Sequence, residues 1–148
     1  MLYACVGTQT AAAKSALGVV ATAAVRPRIM GFILSNIGTV STDSGFQIQV
    51  KRFTAAGTST AITPAPAADS GDPAATFTAG SNHSAEPTYT ANTTIADIAV
   101  NPRSTVKWQP DDPSAPPTAP ATAANGFGWL VNALGGAITV NVNASIQQ

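Results

Sequence analysis

The stretch from Ala137 to Ile146 constrains the fold more than any other: Ile138, Val140, Val142, Ala144 and Ile146 alternate with Thr139, Asn141, Asn143 and Ser145. Successive side chains of an extended chain point to opposite sides, so a strict period of two marks a β-strand with one buried face. The outward set contains only amides and hydroxyls, where a solvated strand ordinarily carries Lys and Glu. Such a face suits contact with another protein.

The pattern recurs upstream. In Gly45 to Phe53, Phe46, Ile48 and Val50 oppose Gln47, Gln49 and Lys51, and Phe53 breaks the alternation, which predicts a bulge near Lys51-Arg52. Further strands are expected over Leu2 to Val6, Leu17 to Val25, Arg28 to Ile37 and Ser104 to Gln109. Between Gly57 and Thr90 large apolar residues are sparse, with Ile62, Phe77 and Tyr89 as anchors. Short strands at Ala74 to Thr78 and Thr88 to Thr90, joined by Gly80-Ser81-Asn82-His83, fit that composition. Thr93 to Val100 follows neither period cleanly and reads as a loop or short helix.

Two hairpins suggest themselves. One joins Arg28–Ile37 to Gly45–Phe53 through the turn-like Ser41-Thr42-Asp43-Ser44-Gly45, and the other joins Phe127–Leu134 to Ala137–Ile146 around Gly135-Gly136. Five prolines fall in the eleven residues from Pro110 to Pro120. Proline fixes φ and lacks an amide donor, so this segment cannot enter a sheet interior and is expected to run extended. Many short strands with Gly and Pro punctuation predict an all-β fold: one domain over residues 1–148, a jelly-roll-like β-sandwich or barrel with long Pro/Ala-rich loops, residues 110–126 forming an arm or loop.

Only 9% of the 148 residues are charged, against about 25% in an ordinary soluble domain, so uncharged polar groups must cover much of the surface. Net charge is zero and the basic residues are scattered, without the basic face that nucleic-acid binding requires. No run reaches the roughly 20 apolar residues of a membrane helix. Lys14 and the Ala-rich stretch to Val25 imitate a signal peptide faintly, with one charge and an apolar run diluted by Gly and Thr. The single Cys5 sits in an apolar run and reads as a small core residue.

An enzyme needs titratable groups gathered from separate elements. His83, Ser84 and Glu86 have the residue types of a triad, but they share one short segment, and no catalytic residue is assigned. Asp69-Ser70-Gly71-Asp72 and Asp111-Asp112 could offer oxygens to calcium; Asp beside Gly or Pro is also ordinary turn chemistry, and no metal or cofactor is assigned. Arg26-Pro27-Arg28 concentrates charge before the best early strand and suits an acidic neighbour, since Arg binds carboxylates in a bidentate fork.

Several features together resemble small β-rich virion proteins of tailed bacteriophages, of the capsid decoration or cement kind. They are Arg26-Pro27-Arg28 leading into an Ile/Gly/Phe strand, Thr60-Ala61-Ile62-Thr63-Pro64 followed by Asp69 and Asp72-Pro73-Ala74-Ala75, and Trp108 with its Pro/Ala segment before Gly126-Phe127-Gly128-Trp129. The resemblance implies a domain, often trimeric, that sits on the outer shell and bridges major capsid proteins without catalytic residues. The expected contacts are then Gln47, Gln49, Thr139, Asn141 and Asn143 on outward faces, Arg26 and Arg28 as charged anchors, and Pro113, Pro116, Pro117 and Pro120 in a reaching arm. The expected partners are the major capsid protein and copies of this chain, with no nucleic acid and no membrane. A second possibility is a carbohydrate- or receptor-binding sandwich in a tail or on a cell surface, with Trp129, Trp108 and Tyr89 as the aromatic platform.

Overall fold

Which side chains alternate decides which face each strand buries, and eleven strands follow from that pattern in a computed structural model that describes residues 1–39 and 43–148. They are β1 (Leu2–Gln9), β2 (Lys14–Val20), β3 (Arg28–Asn36), β4 (Phe46–Ala55), β5 (Thr58–Ile62), β6 (Ala65–Pro66), β7 (Thr78–Ala85), β8 (Thr88–Val100), β9 (Val106–Trp108), β10 (Gly126–Leu134) and β11 (Val140–Gln147). They form two antiparallel sheets in the orders β6-β1-β11-β3-β9 and β5-β7-β2-β10-β4-β8, packed face to face as a β-sandwich.

The pairing is nested. The first strand bonds the last, with Leu2 opposite Gln147 and Gln9 opposite Val140; β2 bonds β10, β3 bonds β9 and β4 bonds β8. The segment between β4 and β8 is inserted, and its strands extend both sheets beyond β1 and β2. Inward residues of both sheets make one core, including Leu17, Leu34, Ile48, Phe127, Trp129, Val142 and Ile146, all fully buried. Burial of these side chains drives the fold, at about 1.5–3 kcal/mol for each large one.

From β1 to β4 and again from β8 to β11 consecutive strands alternate between the sheets, and this overturns both expected hairpins. Strand β3 pairs β11 and β9, while β4 pairs β10 and β8; residues 40–42 of the turn proposed to join β3 and β4 lie outside the described residues. Likewise β10 and β11 belong to different sheets, and Gly135-Gly136 is a corner rather than a hairpin turn. Gly135 donates to the Gly45 carbonyl at 2.9 Å, and a Cβ there would stand 2.4 Å from the Ser44 Cβ. The corner therefore needs glycine for close approach.

Other expectations shift by identifiable causes. Thr93 to Val100 is strand, not loop or helix: Ala96, Ile98 and Val100 face inward opposite Val50, Ile48 and Phe46. Ile95 is the extra residue at a bulge, which hides the period. A second bulge puts Asn92 at φ 58° opposite the Lys51–Phe53 irregularity, where the sequence predicts one. Gly80 to His83 lies within β7 rather than in a connection, β2 ends at Val20 rather than Val25, and of Ala74 to Thr78 only Thr78 is strand.

Residues 110–125 lack regular strand, as the prolines require, yet their second half is bonded to the body. Ile29 donates to the Pro117 carbonyl at 2.9 Å, Ala119 donates to the Pro27 carbonyl at 3.0 Å, and Ala119 is fully buried. Arg52 Nη2 donates to the Thr118 carbonyl at 3.2 Å. Pro116 and Pro117 are half-buried, and Pro113 and Pro120 are exposed. The expected reaching arm is thus a loop strapped at residues 116–119, with exposed parts at residues 111–115 and 120–124.

Candidate contact surface

The outward residues of β11 fall into cross-strand rows on the sheet that contains β1 and β3. Asn141 lies between Thr8 and Ser35, Asn143 between Val6 and Ile33, and Ser145 between Ala4 and Gly31. Residues directly opposite in an antiparallel pair share a face, so each row is a strip of continuous surface. Asn141 Nδ2 donates to Ser35 Oγ at 3.3 Å. Asn143 is exposed, and its amide has no partner among the described residues.

Val6 and Ile33, which flank Asn143, are 48% and 37% exposed. Beside them runs a cleft of about 470 Å³ lined by Leu2, Met30, Ile33, Lys107, Pro113 and Asn143. Met30 is the extra residue of a bulge between Ile29 and Gly31, opposite Ser145 and Ile146. The site is therefore an amide row set in apolar side chains, bordered on one side by the proline loop and by a single cation, Lys107. Val6 and Ile33 are two of the four large apolar side chains exposed among the described residues.

The other expected contacts are dispersed. Thr139 precedes β11 and is half-buried; its N–H donates to Asn36 Oδ1 at 3.0 Å and its carbonyl accepts from Ile37 N at 3.0 Å. Gln47 and Gln49 lie on the opposite sheet, where both donate to the Asp97 carboxylate at 2.6 and 2.9 Å, and Asn132 Nδ2 donates to Gln47 Oε1 at 2.8 Å. Gln47 thus uses both ends of its amide within the chain, and Gln49 uses its Nε2. Arg26 and Arg28 are exposed and line a separate cleft of about 480 Å³.

Val6, Ile33, Leu2 and Met30 are the contributors that the sequence leaves unassigned. In β1 the outward set Leu2, Ala4, Val6 is as apolar as the inward set Tyr3, Cys5, Gly7. A cleaner signal was the missing Lys and Glu in both β1 and β11.

The triad-like residues do not converge. Ser84 Oγ donates to the Thr58 carbonyl at 3.4 Å, His83 Nδ1 sits 3.1 Å from the Ser15 carbonyl, and Glu86 accepts from Ser15 N at 2.7 Å and Ser15 Oγ at 2.6 Å. His83 is buried, and desolvation pulls its pKa below the usual imidazole value, opposed by its carbonyl partners and by Glu86. The arrangement pins β2 to β7 and the turn that follows it. The two acidic turns behave as turns: Asp69 Oδ1 accepts from Gly71 N at 2.8 Å and Asp112 Oδ1 from Ser114 N at 2.8 Å.

An aromatic platform is not available at Trp129, which is fully buried. Trp108 is half-buried and stacked on Phe32, with ring centroids 4.9 Å apart, and the Tyr89 hydroxyl is held by Ser15. No protein-family model, curated protein or solved structure matches the chain. Its surface is the ground on which a function can be argued.

Proposed function

We propose that this chain is a structural virion protein, a capsid decoration or cement protein that binds the outer surface of a bacteriophage shell and stabilises it. Its partners are the major capsid protein and further copies of itself. Made in the host cytoplasm, it acts on the capsid surface, with no catalytic, metal or cofactor role.

The observation that carries this reading is the row Val6, Asn143, Ile33 beside its cleft: an uncharged, partly apolar sheet face that lies open to solvent. Asn and Ser cost less to desolvate than Lys or Glu, and hydrogen bonds to a partner's backbone offset that cost. A shell offers the same partner surface many times, so individually shallow contacts add up. A protein that binds only the assembled lattice stabilises it by mass action. We read the nested strand order, first with last and second with second-to-last, as a jelly-roll arrangement, an architecture that viral capsid domains use, and it supports the same reading.

The test is to strip the protein from particles and measure their resistance to heat and osmotic shock, then add it back. Loss on stripping and recovery on addition are expected. Unchanged resistance would remove the cement role, and a hit on a glycan array in its place would favour a sugar-binding module.

A further inference from the structure

Among the described residues, the charged side chains with groups left over are Arg26, Arg28 and Lys107 on the cationic side and Asp72, Asp111 and Asp112 on the anionic side. Of these only Arg26/Arg28 and Asp111/Asp112 form exposed pairs of like charge close in sequence. Among the carboxylates, Asp43 pairs with Arg103, Asp69 caps Gly71, Glu86 holds Ser15 and Asp97 takes two glutamine amides. Asp72 is half-buried. Asp111 and Asp112 remain on an exposed turn: Asp112 uses only Oδ1, for Ser114 N and Oγ, and Asp111 has no partner among the described residues.

Among the cations, Lys14 donates to the Ser84 carbonyl, Lys51 lies over Tyr89 and Arg52 holds the Thr118 carbonyl. Lys107 borders the sheet-face cleft. Arg26 and Arg28 flank Pro27, two positions apart, and share a second cleft with Val25, Thr76 and Gln147. Arg26 Nε donates to the Ala119 carbonyl at 3.2 Å, which fixes the stem and leaves the terminal nitrogens free. Neither guanidinium meets a carboxylate among the described residues.

We propose that the Asp111-Asp112 turn of one copy of this chain docks into the Arg26/Arg28 cleft of a second copy. This deepens the self-association in the proposed function and rests on that part of it alone. Asp111 has both carboxylate oxygens open for bidentate pairing with one guanidinium, the strongest form of surface ion contact, and Asp112 offers Oδ2 to the other. The acidic turn is stiff in advance: Pro110 and Pro113 fix φ on either side, and Ala115 N donates to the Asp112 carbonyl at 3.1 Å. Little conformational freedom is then lost on docking. Turn and cleft can pair reciprocally, each copy's turn in the other's cleft, in a two-fold dimer, or head to tail, which closes a ring or extends a filament.

Sedimentation of the full chain over a concentration series at low and high salt tests the contact. Association that weakens with salt is expected. Arg26→Glu/Arg28→Glu and Asp111→Lys/Asp112→Lys should each raise the dissociation constant about tenfold or more, with circular dichroism unchanged, and an equimolar mixture of the two variants should associate again. Association undiminished in both variants, or not restored in the mixture, overturns the docking while leaving self-association by another surface. A wild-type chain that stays monomeric overturns both, and shell binding is judged separately by the particle assay.

Discussion

The hydroxyls of Ser15 and Tyr89 meet at 2.5 Å, and the same Ser15 oxygen lies 2.6 Å from Glu86 Oε2. A serine hydroxyl has one proton, so its direction is settled: Ser15 donates to the carboxylate and Tyr89 donates to Ser15. Three segments are thereby joined at the edge of the core, β2 through Ser15, the β7–β8 connection through Glu86 and β8 through Tyr89. Ser15→Ala strips both partners at once and should cost about 1–3 kcal/mol. Tyr89→Phe keeps the Ser15–Glu86 bond and should cost less. Urea denaturation of both variants checks the order; equal costs would show that the relay does not matter.

Alkali should weaken the fold from pH 9 upward. Burial pushes the Cys5 thiol from its ordinary 9.0 up to about 12, so between those values the unfolded chain releases a proton that the folded chain keeps. Stability is full below pH 9 and falls as pH rises, on the order of 4 kcal/mol across the window. Burial also raises the pKa of Tyr89, and it adds to the decline from pH 10. Cys5→Ala should flatten the profile between pH 9 and 10, measured as urea midpoint against pH.

Acid acts oppositely through His83. Its pKa is lowered from 6.5, mainly by burial, so as pH falls below 6.5 the unfolded chain takes up a proton that the folded chain resists, and stability declines. An NMR titration should show this imidazole charging below 6.5, and His83→Gln should lessen the acid sensitivity. A midpoint above 6.5 would contradict the assignment.

Gly57, between β4 and β5, has φ +72°, and a Cβ there would lie 2.4 Å from the Ala85 carbonyl oxygen. Gly57→Ala meets both a backbone penalty and a clash, and should destabilise by about 1–3 kcal/mol. Thermal denaturation measures it.

Val6→Glu combined with Ile33→Glu should leave the fold intact at a cost of about 1–2 kcal/mol, since both side chains face outward and are part-exposed, at 48% and 37%. Occupancy on stripped shells should fall sharply. Full occupancy would move the contact surface elsewhere.

The strands were legible where alternation was clean, as in β4 and β11, β3 was legible from its Ile, Phe and Leu content, and the bulge near Lys51-Arg52 was legible from the break at Phe53. Their neighbours were not. Alternation assigns a residue to a face but says nothing of which strand lies alongside, and Gly135-Gly136 suits a corner between sheets as well as a tight turn. In β8 the extra residue Ile95 shifted the inward set by one, so Ile98 and Val100 lost their visible period. The amide row of the contact surface could be read from Asn141, Asn143 and Ser145, whereas Val6 and Ile33 could not, because their own strands are apolar on both faces at those points. The proline loop was readable as irregular, but its strapping at Thr118 and Ala119 uses backbone groups that carry no sequence signature.

The nested pairing reaches beyond the finished molecule into its synthesis. Leu2 to Gln9 leave the ribosome well before their partners, Val140 to Gln147, since even the closest pair, Gln9 and Val140, is 131 positions apart. At about 5–20 residues per second, the first strand waits many seconds with an apolar edge exposed and nothing to bond. Every copy therefore passes through an interval in which chaperones or neighbouring nascent chains compete for that edge, and the sheet that carries the proposed contact surface cannot close until β11 has been made.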